Sequence, residues 1–216
     1  MFAYIKGKLV SKSNNYVVIE AGNIGYKIFM SVTAIDRLGE IEAQVKVHTY
    51  YYVREDNISL YGFVSQEELR MFELLLSVSG VGAKSAIGML SAITPSDFAL
   101  AIISNDIAEL TKIQGIGAKT AARIVLELKD KLKTEDSITK GEMAKNKIIA
   151  IDEGVVSEAT QALQILGYTK KQIEKVLEKI EVKDLSVQNI IKKALVMLAE
   201  NYCNWFLMGY CLTLFQ

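Results

Sequence analysis

Lys84 and Lys119 stand in the same place relative to a pair of glycines. Ser79-Gly80-Val81-Gly82-Ala83-Lys84-Ser85-Ala86 returns as Gln114-Gly115-Ile116-Gly117-Ala118-Lys119-Thr120-Ala121, and the offset of 35 (115 − 80) also carries Leu75 onto Leu110. Each copy ends one apolar, helix-like run and opens another. A helix that starts just past a Gly-x-Gly turn has backbone N–H groups without intrahelical acceptors, at the positive end of its dipole. Glycine allows left-handed dihedrals in such a turn and close approach by another backbone. Together these make an anion site suited to a phosphodiester. A lysine in the first turn is unfavourable for the helix itself, and a phosphate beside it removes that conflict. Ser85 and Thr120 add hydroxyl donors, and Arg123, one turn after Lys119, lies on the same face. The candidate DNA-backbone residues are therefore Gly80, Gly82, Lys84, Ser85, Gly115, Gly117, Lys119, Thr120 and Arg123.

One Gly-x-Gly between helices is ordinarily just a turn. Two copies with matching Lys and Ser/Thr are a different matter, because two spaced sites grip one duplex along its backbone without reading bases. The pattern is not a P-loop, since Ala83 and Ala118 precede the lysines, and it is not a dinucleotide fingerprint, since no strand precedes it. Other reactive groups are sparse. His48, the only histidine, lies inside a strand pattern, where a structural role is the plain reading. Apart from Glu55-Asp56, no carboxylates have metal-ligand spacing, and that pair alone reads as a solvated hairpin tip. No catalytic residue, metal or cofactor is expected. Two rival classes stand beside a DNA binder. One is a structure-specific nuclease or glycosylase, since both use helix-hairpin-helix modules, and the other is a plain protein-interaction scaffold.

The elements that carry these residues change type along the chain. Residues 1–64 are rich in β-branched and aromatic residues, as in Tyr16–Glu20, Gly25–Met30 and Val45–Val53, with turns at Asn14-Asn15, Gly22-Asn23 and Glu55–Asn57. Five or so short strands, with a short helix near Ser31–Leu38, fit a small barrel of OB or SH3-like type. Residues 65–133 read as an all-α unit of about five helices, opened by a capping box at Ser65-Gln66-Glu67-Glu68. Residues 134–152 are polar and read as a flexible linker, with Ile148–Ile151 the one part suited to packing. Residues 153–200 read as three helices, with Gly167 closing the first and Thr169 and Ser186 capping the others. The fold class is thus multi-domain α+β: an N-terminal barrel, a central tandem helix-hairpin-helix domain and a C-terminal three-helix module.

Formal net charge is zero, from 25 basic and 25 acidic residues, and no region is a basic arm: 1–64 holds 7 against 6, 65–133 holds 8 against 8, 134–216 holds 10 against 11. Bulk positive charge is excluded, so phosphate attraction must be local. The two cysteines, Cys203 and Cys211, fall in the last 14 residues, leaving the body without a disulfide or Cys-rich zinc site. Met1–Lys6 lacks the basic start and apolar core of a signal peptide, and a cytoplasmic location with no membrane partner is the expectation. Residues 201–216 are uncharged, and 11 of the 16 are apolar or aromatic. This tail is short for a membrane span of about 20 residues. It reads either as a continuation of the third helix or as a segment foreign to the domain.

The doubled hairpin, the barrel and the tethered three-helix module resemble the RuvA family of bacterial Holliday-junction-binding subunits. The likeness is carried by both Gly-x-Gly-x-Lys motifs, by Val53-Arg54-Glu55-Asp56-Asn57-Ile58-Ser59-Leu60-Tyr61-Gly62-Phe63, and by Leu166-Gly167-Tyr168. It covers residues 1 to about 200, and the tail from Asn201 departs from it. The resemblance implies an OB-fold barrel and a homotetramer, or an octamer, that holds four-way junction DNA open and near-planar. It implies that Glu55 and Asp56 form an acidic pin facing the crossover. It implies that Leu163, Leu166, Tyr168 and Leu195 contact the hexameric ATPase RuvB, which alone uses ATP, and it allows a RuvC-type resolvase as a further partner. On this reading the chain is a non-catalytic subunit of a branch-migration complex in recombination and repair.

Overall fold

The computed structural model describes residues 2–55, 57–139, 153–180, 182 and 185–198, without the side chains of 130–139 and 153. Its contacts gather into two compact units, residues 1–95 with 107–124 and residues 96–106 with 125–216.

In the first unit, β1 (Tyr4–Lys12), β2 (Tyr16–Ala21), β3 (Ile24–Phe29), β4 (Gln44–Val53) and β5 (Ile58–Phe63) close into a barrel in the order β1-β2-β3-β5-β4. Every pairing is antiparallel except β3 with β5, which meet in parallel at Phe29 and Tyr61. That parallel closure, with α1 (Val32–Asp36) between β3 and β4, is the OB-like arrangement and removes the SH3-like alternative. Burial alternates as a pleated strand demands: Ile5 and Leu9, Val17 and Ile19, and Val45 and Val47 point inward. Ala34 and Ile35 of α1 join the same core, and the Ser31 hydroxyl caps that helix by accepting from the Ala34 N–H at 3.2 Å. β1 serves two neighbours. Its first half pairs with β4 and its second with β2, and the register slips between Leu9 and Ser11. Such a bulge bends a strand and lets a small barrel close.

α2 (Gln66–Leu76) packs on β4 and β5 through Phe72, which is fully buried. Its ring lies 5.4, 5.2 and 4.9 Å, centroid to centroid, from Tyr50, Tyr61 and Phe63. Tyr61 extends the row to Phe29 and to Tyr52, each at 5.8 Å. One aromatic row therefore joins barrel wall and first hairpin helix. The capping box at Ser65 forms only in part. Ser65 Oγ accepts from the Glu68 N–H at 3.3 Å, but the Glu68 carboxylate accepts from the Val64 N–H at 3.2 Å rather than from that of Ser65. Its other oxygen pairs with Arg37, 31 residues away, a partner no local motif reveals.

α3 (Ala83–Ala92), α4 (Pro95–Ser104), α5 (Ile107–Thr111) and α6 (Ala118–Thr139) complete the central region. Pro95 sits at the first position of α4, where its missing N–H costs nothing. α6 runs to Thr139, so 134–139, expected as linker, is helical; its apolar positions thin out beyond Leu128, but Lys and Glu favour a helix without them. The rest of the expected linker, 140–152 with Ile148–Ile151, lies outside the described residues, as does the tail from 199.

In the second unit α7 (Glu153–Ile165), α8 (Lys170–Leu177) and α9 (187–198) follow. α7 ends in a Schellman motif. Gly167 is left-handed at φ +80°, its N–H donates to Gln164 O at 2.8 Å, and the Tyr168 N–H donates to Leu163 O at 3.1 Å. Gln172 Oε1 reaches back to the Thr169 N–H at 2.9 Å, and Ser186 Oγ accepts from the Asn189 N–H at 3.4 Å. Ala159, Leu163, Leu166, Ile173, Val176, Ile190, Ile191, Ala194 and Leu198 form the module's interior.

Candidate nucleic-acid interface

The sequence repeat is a structural repeat. In the first hairpin, α2–turn–α3, the N–H groups of Val78, Val81 and Ala86 donate to the carbonyls of Leu75, Val78 and Gly82 at 3.1, 3.1 and 3.0 Å. In the second, α5–turn–α6, Ile113, Ile116 and Ala121 donate to Leu110, Ile113 and Gly117 at 3.3, 3.0 and 3.0 Å. The offset of 35 thus carries every one of these bonds. Buried side chains correspond as well: Leu75 with Leu110, Val78 with Ile113, Val81 with Ile116, Ala86 with Ala121. Each turn is pinned by its buried apolar residues.

The glycines divide the work, where the sequence suggested left-handed dihedrals for the motif as a whole. Gly80 and Gly115 are left-handed at φ +85° and +86°, a conformation that a side chain resists. Gly82 is extended, at φ −94° and ψ 169°, and serves as the N-cap of α3 with no side-chain cap. A Cβ built on Gly82 or Gly117 meets nothing within 4 Å. Folding does not require glycine there, and its absence of a side chain leaves the helix N-terminus open to an external group. Lys84, Ser85 and Lys119 are exposed in the first turns of α3 and α6, and Thr120 is half-buried. Arg123 is exposed too, but its Nη1 donates to Ser79 O, in the turn of the other hairpin, at 3.3 Å.

The hairpin joining β4 to β5 carries the acidic pair. The Arg54 N–H donates to Asn57 O at 2.8 Å, a tight turn that places Glu55 at an exposed tip. Asp56 lies outside the described residues. Arg54 folds back from the tip: its Nε donates to the Tyr52 hydroxyl at 2.8 Å, and its guanidinium lies 5.3 Å from the centre of that ring. Tyr52 in turn meets Tyr61, so the base of the tip rests on the aromatic row that holds α2.

Three family models match this architecture in order: the RuvA N terminal domain over residues 1–62, a SAM-like helix-hairpin-helix tandem over 72–130, and the RuvA C-terminal domain over 154–199. Over 201 residues, 93% of this chain and all of the relative, it is 50% identical to the Holliday junction branch migration complex subunit RuvA of Acetivibrio thermocellus. The chain belongs to the RuvA family. The proteins of the same name from Ruminiclostridium cellulolyticum and Clostridium perfringens are 47% and 44% identical over 198 and 200 residues, 90% and 92% of this chain and 98% and 99% of theirs.

The residues that RuvA resemblance marks for a motor partner are placed unevenly. Leu163, Leu166 and Tyr168 are buried within the C-terminal module, Leu163 and Tyr168 through the Schellman motif that closes α7. In this conformation they shape the module from inside, and only Leu195 is partly open at the surface. The exposed apolar residue on α9 is Val196, which lines a groove of about 540 Å³ with Lys179, Ile180, Lys192, Lys193 and Met197. The sequence reading passed over this groove. Its signal was the adjacent Lys192-Lys193 and Val196-Met197 pairs on one helix.

Among the described residues no group of three His, Cys, Asp or Glu could hold a metal ion, and no single helix is long and apolar enough to cross a membrane. His48 is half-buried on β4, opposite Tyr4 on β1 and Phe63 on β5. Burial, reinforced by Lys46 and opposed by Glu67, lowers its pKa.

Proposed function

We propose that this chain binds four-way DNA junctions and acts as a non-catalytic subunit in their branch migration. The doubled hairpin carries the reading: two turns of the same geometry, each with an open glycine N-cap position and an exposed lysine, within one compact unit. Each turn offers backbone amides and a lysine to one phosphate, so the pair holds a duplex arm without reading its sequence. The junction in the relatives' names accords with this, and so does the acidic tip. Hairpins alone explain affinity for any duplex. Preference for a crossover requires several copies arranged about Glu55 and Asp56, whose charge repels phosphates that approach the centre wrongly.

The assembly is a homotetramer, or two tetramers enclosing the DNA as an octamer, and the C-terminal module recruits a RuvB-type ATPase that supplies the work. The protein needs no cofactor of its own, and a resolvase of RuvC type is a further partner for the same junction. The decisive experiment is binding of the full chain to a synthetic four-way junction and to linear duplex of equal length, read by fluorescence anisotropy, with native mass measurement of the complex. Tight junction binding with four or eight subunits supports the proposal. Equal affinity for both DNAs refutes the junction reading, and cleavage of the junction in the presence of divalent metal supports the nuclease alternative. Removing residues 153–216 should leave junction binding in place and abolish stimulation of the motor; retained stimulation refutes that module's role.

A further inference from the structure

We infer that Arg123 is a positioning residue that sets the spacing of the two hairpins, rather than one more phosphate ligand. This rests on the duplex-gripping reading above. Arg123 belongs to α6, after the second turn, yet its Nη1 donates to Ser79 O in the first turn, 44 residues earlier, at 3.3 Å. The same nitrogen lies 3.7 Å from the place a Cβ on Gly80 would occupy, so the guanidinium lies against the left-handed corner of that turn. The repeat makes the asymmetry plain. Subtracting 35 from 123 gives Gly88, which has no side chain and nothing within 4 Å of a built Cβ. Copy one has no reciprocal arm at the equivalent position, so this tie runs from the second hairpin to the first.

A phosphate backbone presents its charges at fixed intervals, so two cradles act together only when their separation matches. A planar guanidinium with several fixed donors suits such a tie, because it spends little freedom per bond formed. A lysine at the same place carries the charge on a single flexible ammonium and does not reproduce that tie.

The test uses the full chain with Arg123→Gln, Arg123→Lys, Lys84→Gln and Lys119→Gln, read by junction binding across a salt series and by amide hydrogen exchange without DNA. Losing the tie should weaken junction binding roughly tenfold, the scale of one charged hydrogen bond. It should leave the salt slope at the wild-type value, whereas Lys119→Gln should lower the slope by about 0.9 per subunit. Arg123→Gln should be non-additive with Lys84→Gln, whose cradle it positions, and additive with Lys119→Gln. Exchange should quicken at the Val81 amide, which donates to Val78 O, and stay unchanged at its counterpart Ile116, while thermal stability holds. Arg123→Lys should behave like Arg123→Gln. A slope lowered by about 0.9 with full rescue by Arg123→Lys overturns the inference in favour of a direct phosphate contact. Wild-type protein that fails to bind duplex or junction refutes the functional reading instead, and the exchange comparison still decides whether Arg123 ties the turns.

Discussion

Substituting Gly82 by alanine should separate binding from folding. At φ −94° and ψ 169° the backbone suits any L-residue, and the added methyl meets no atom of the protein within 4 Å. Two small terms decide the stability. Alanine is the poorer N-cap by roughly 0.5–1 kcal/mol. Reduced freedom of the unfolded chain contributes about 0.4–1 kcal/mol in the opposite direction. They nearly cancel, so the thermal midpoint should hardly move. Binding is another matter under the proposed function, in which a phosphate approaches the first amides of α3 and meets the added methyl. Losing one charge-assisted hydrogen bond of about 1.5–3 kcal/mol lowers affinity roughly 10- to 150-fold.

Gly80 supplies the control. At φ +85°, Gly80→Ala places an L-residue in the left-handed region at a cost of about 1–2 kcal/mol, so stability and binding should fall together. The assay pairs thermal or urea unfolding with anisotropy titration of a labelled four-way junction at fixed salt. Wild-type affinity in Gly82→Ala, with a stability change below about 1 kcal/mol, would show that the turn's backbone is not where DNA binds.

Three further outcomes are expected. Neutralising the tip with Glu55→Gln and Asp56→Asn should alter the preference for junction over duplex and the rate of motor-driven migration more than affinity itself, and unchanged preference and rate would refute the pin's role. Phe72→Ala removes a buried ring with three aromatic neighbours and should cost about 3–5 kcal/mol in urea unfolding, with a loss under 2 kcal/mol counting against the aromatic row as the tie between barrel and α2. His48 has a folded-state pKa below its ordinary 6.5, so the unfolded chain takes up its proton first as pH falls. Its contribution is intact above pH 6.5 and lost as pH falls toward the lower folded value, and His48→Gln should flatten the stability difference between pH 7.5 and 5.5.

What the sequence disclosed and what it hid follow from the range of the interactions. The paired hairpins were legible because their determinants lie within eight residues and occur twice. The strands were legible from β-branched and aromatic runs, but the choice of OB over SH3-like closure depended on β3 meeting β5, a pairing no local pattern encodes. The reach of Glu68 to Arg37 and of Arg123 to Ser79 spans 31 and 44 residues, so neither partner is visible to a local motif. Family likeness marks Leu163 and Tyr168 for a motor partner without saying how open they are; the structure places both inside the module, at the motif that ends α7. Asp56 and the apolar tail stay at the level of sequence because they lie outside the described residues.

A chain with no net charge grips a polyanion only if attraction and repulsion are kept apart in fixed places. Screening over about 8 Å at physiological ionic strength confines each charge to the phosphates nearest it. Specificity then depends on rigid bodies that present the charges, more than on their sum. Here the acidic tip rises from β4 and β5, whose Tyr52 and Tyr61 lead directly to Phe72 on the helix that opens the first hairpin. Arg123 carries the connection on from that hairpin's turn to the second. Acidic tip, first hairpin and second hairpin are thus joined in series by aromatic contacts and one guanidinium, the order that the proposed function needs. Loosening any link should blur discrimination before it abolishes binding, since each cradle still attracts a phosphate by itself. The order of loss separates this scheme from one of independent contacts, in which each deletion subtracts affinity and leaves the ratio between junction and duplex unchanged.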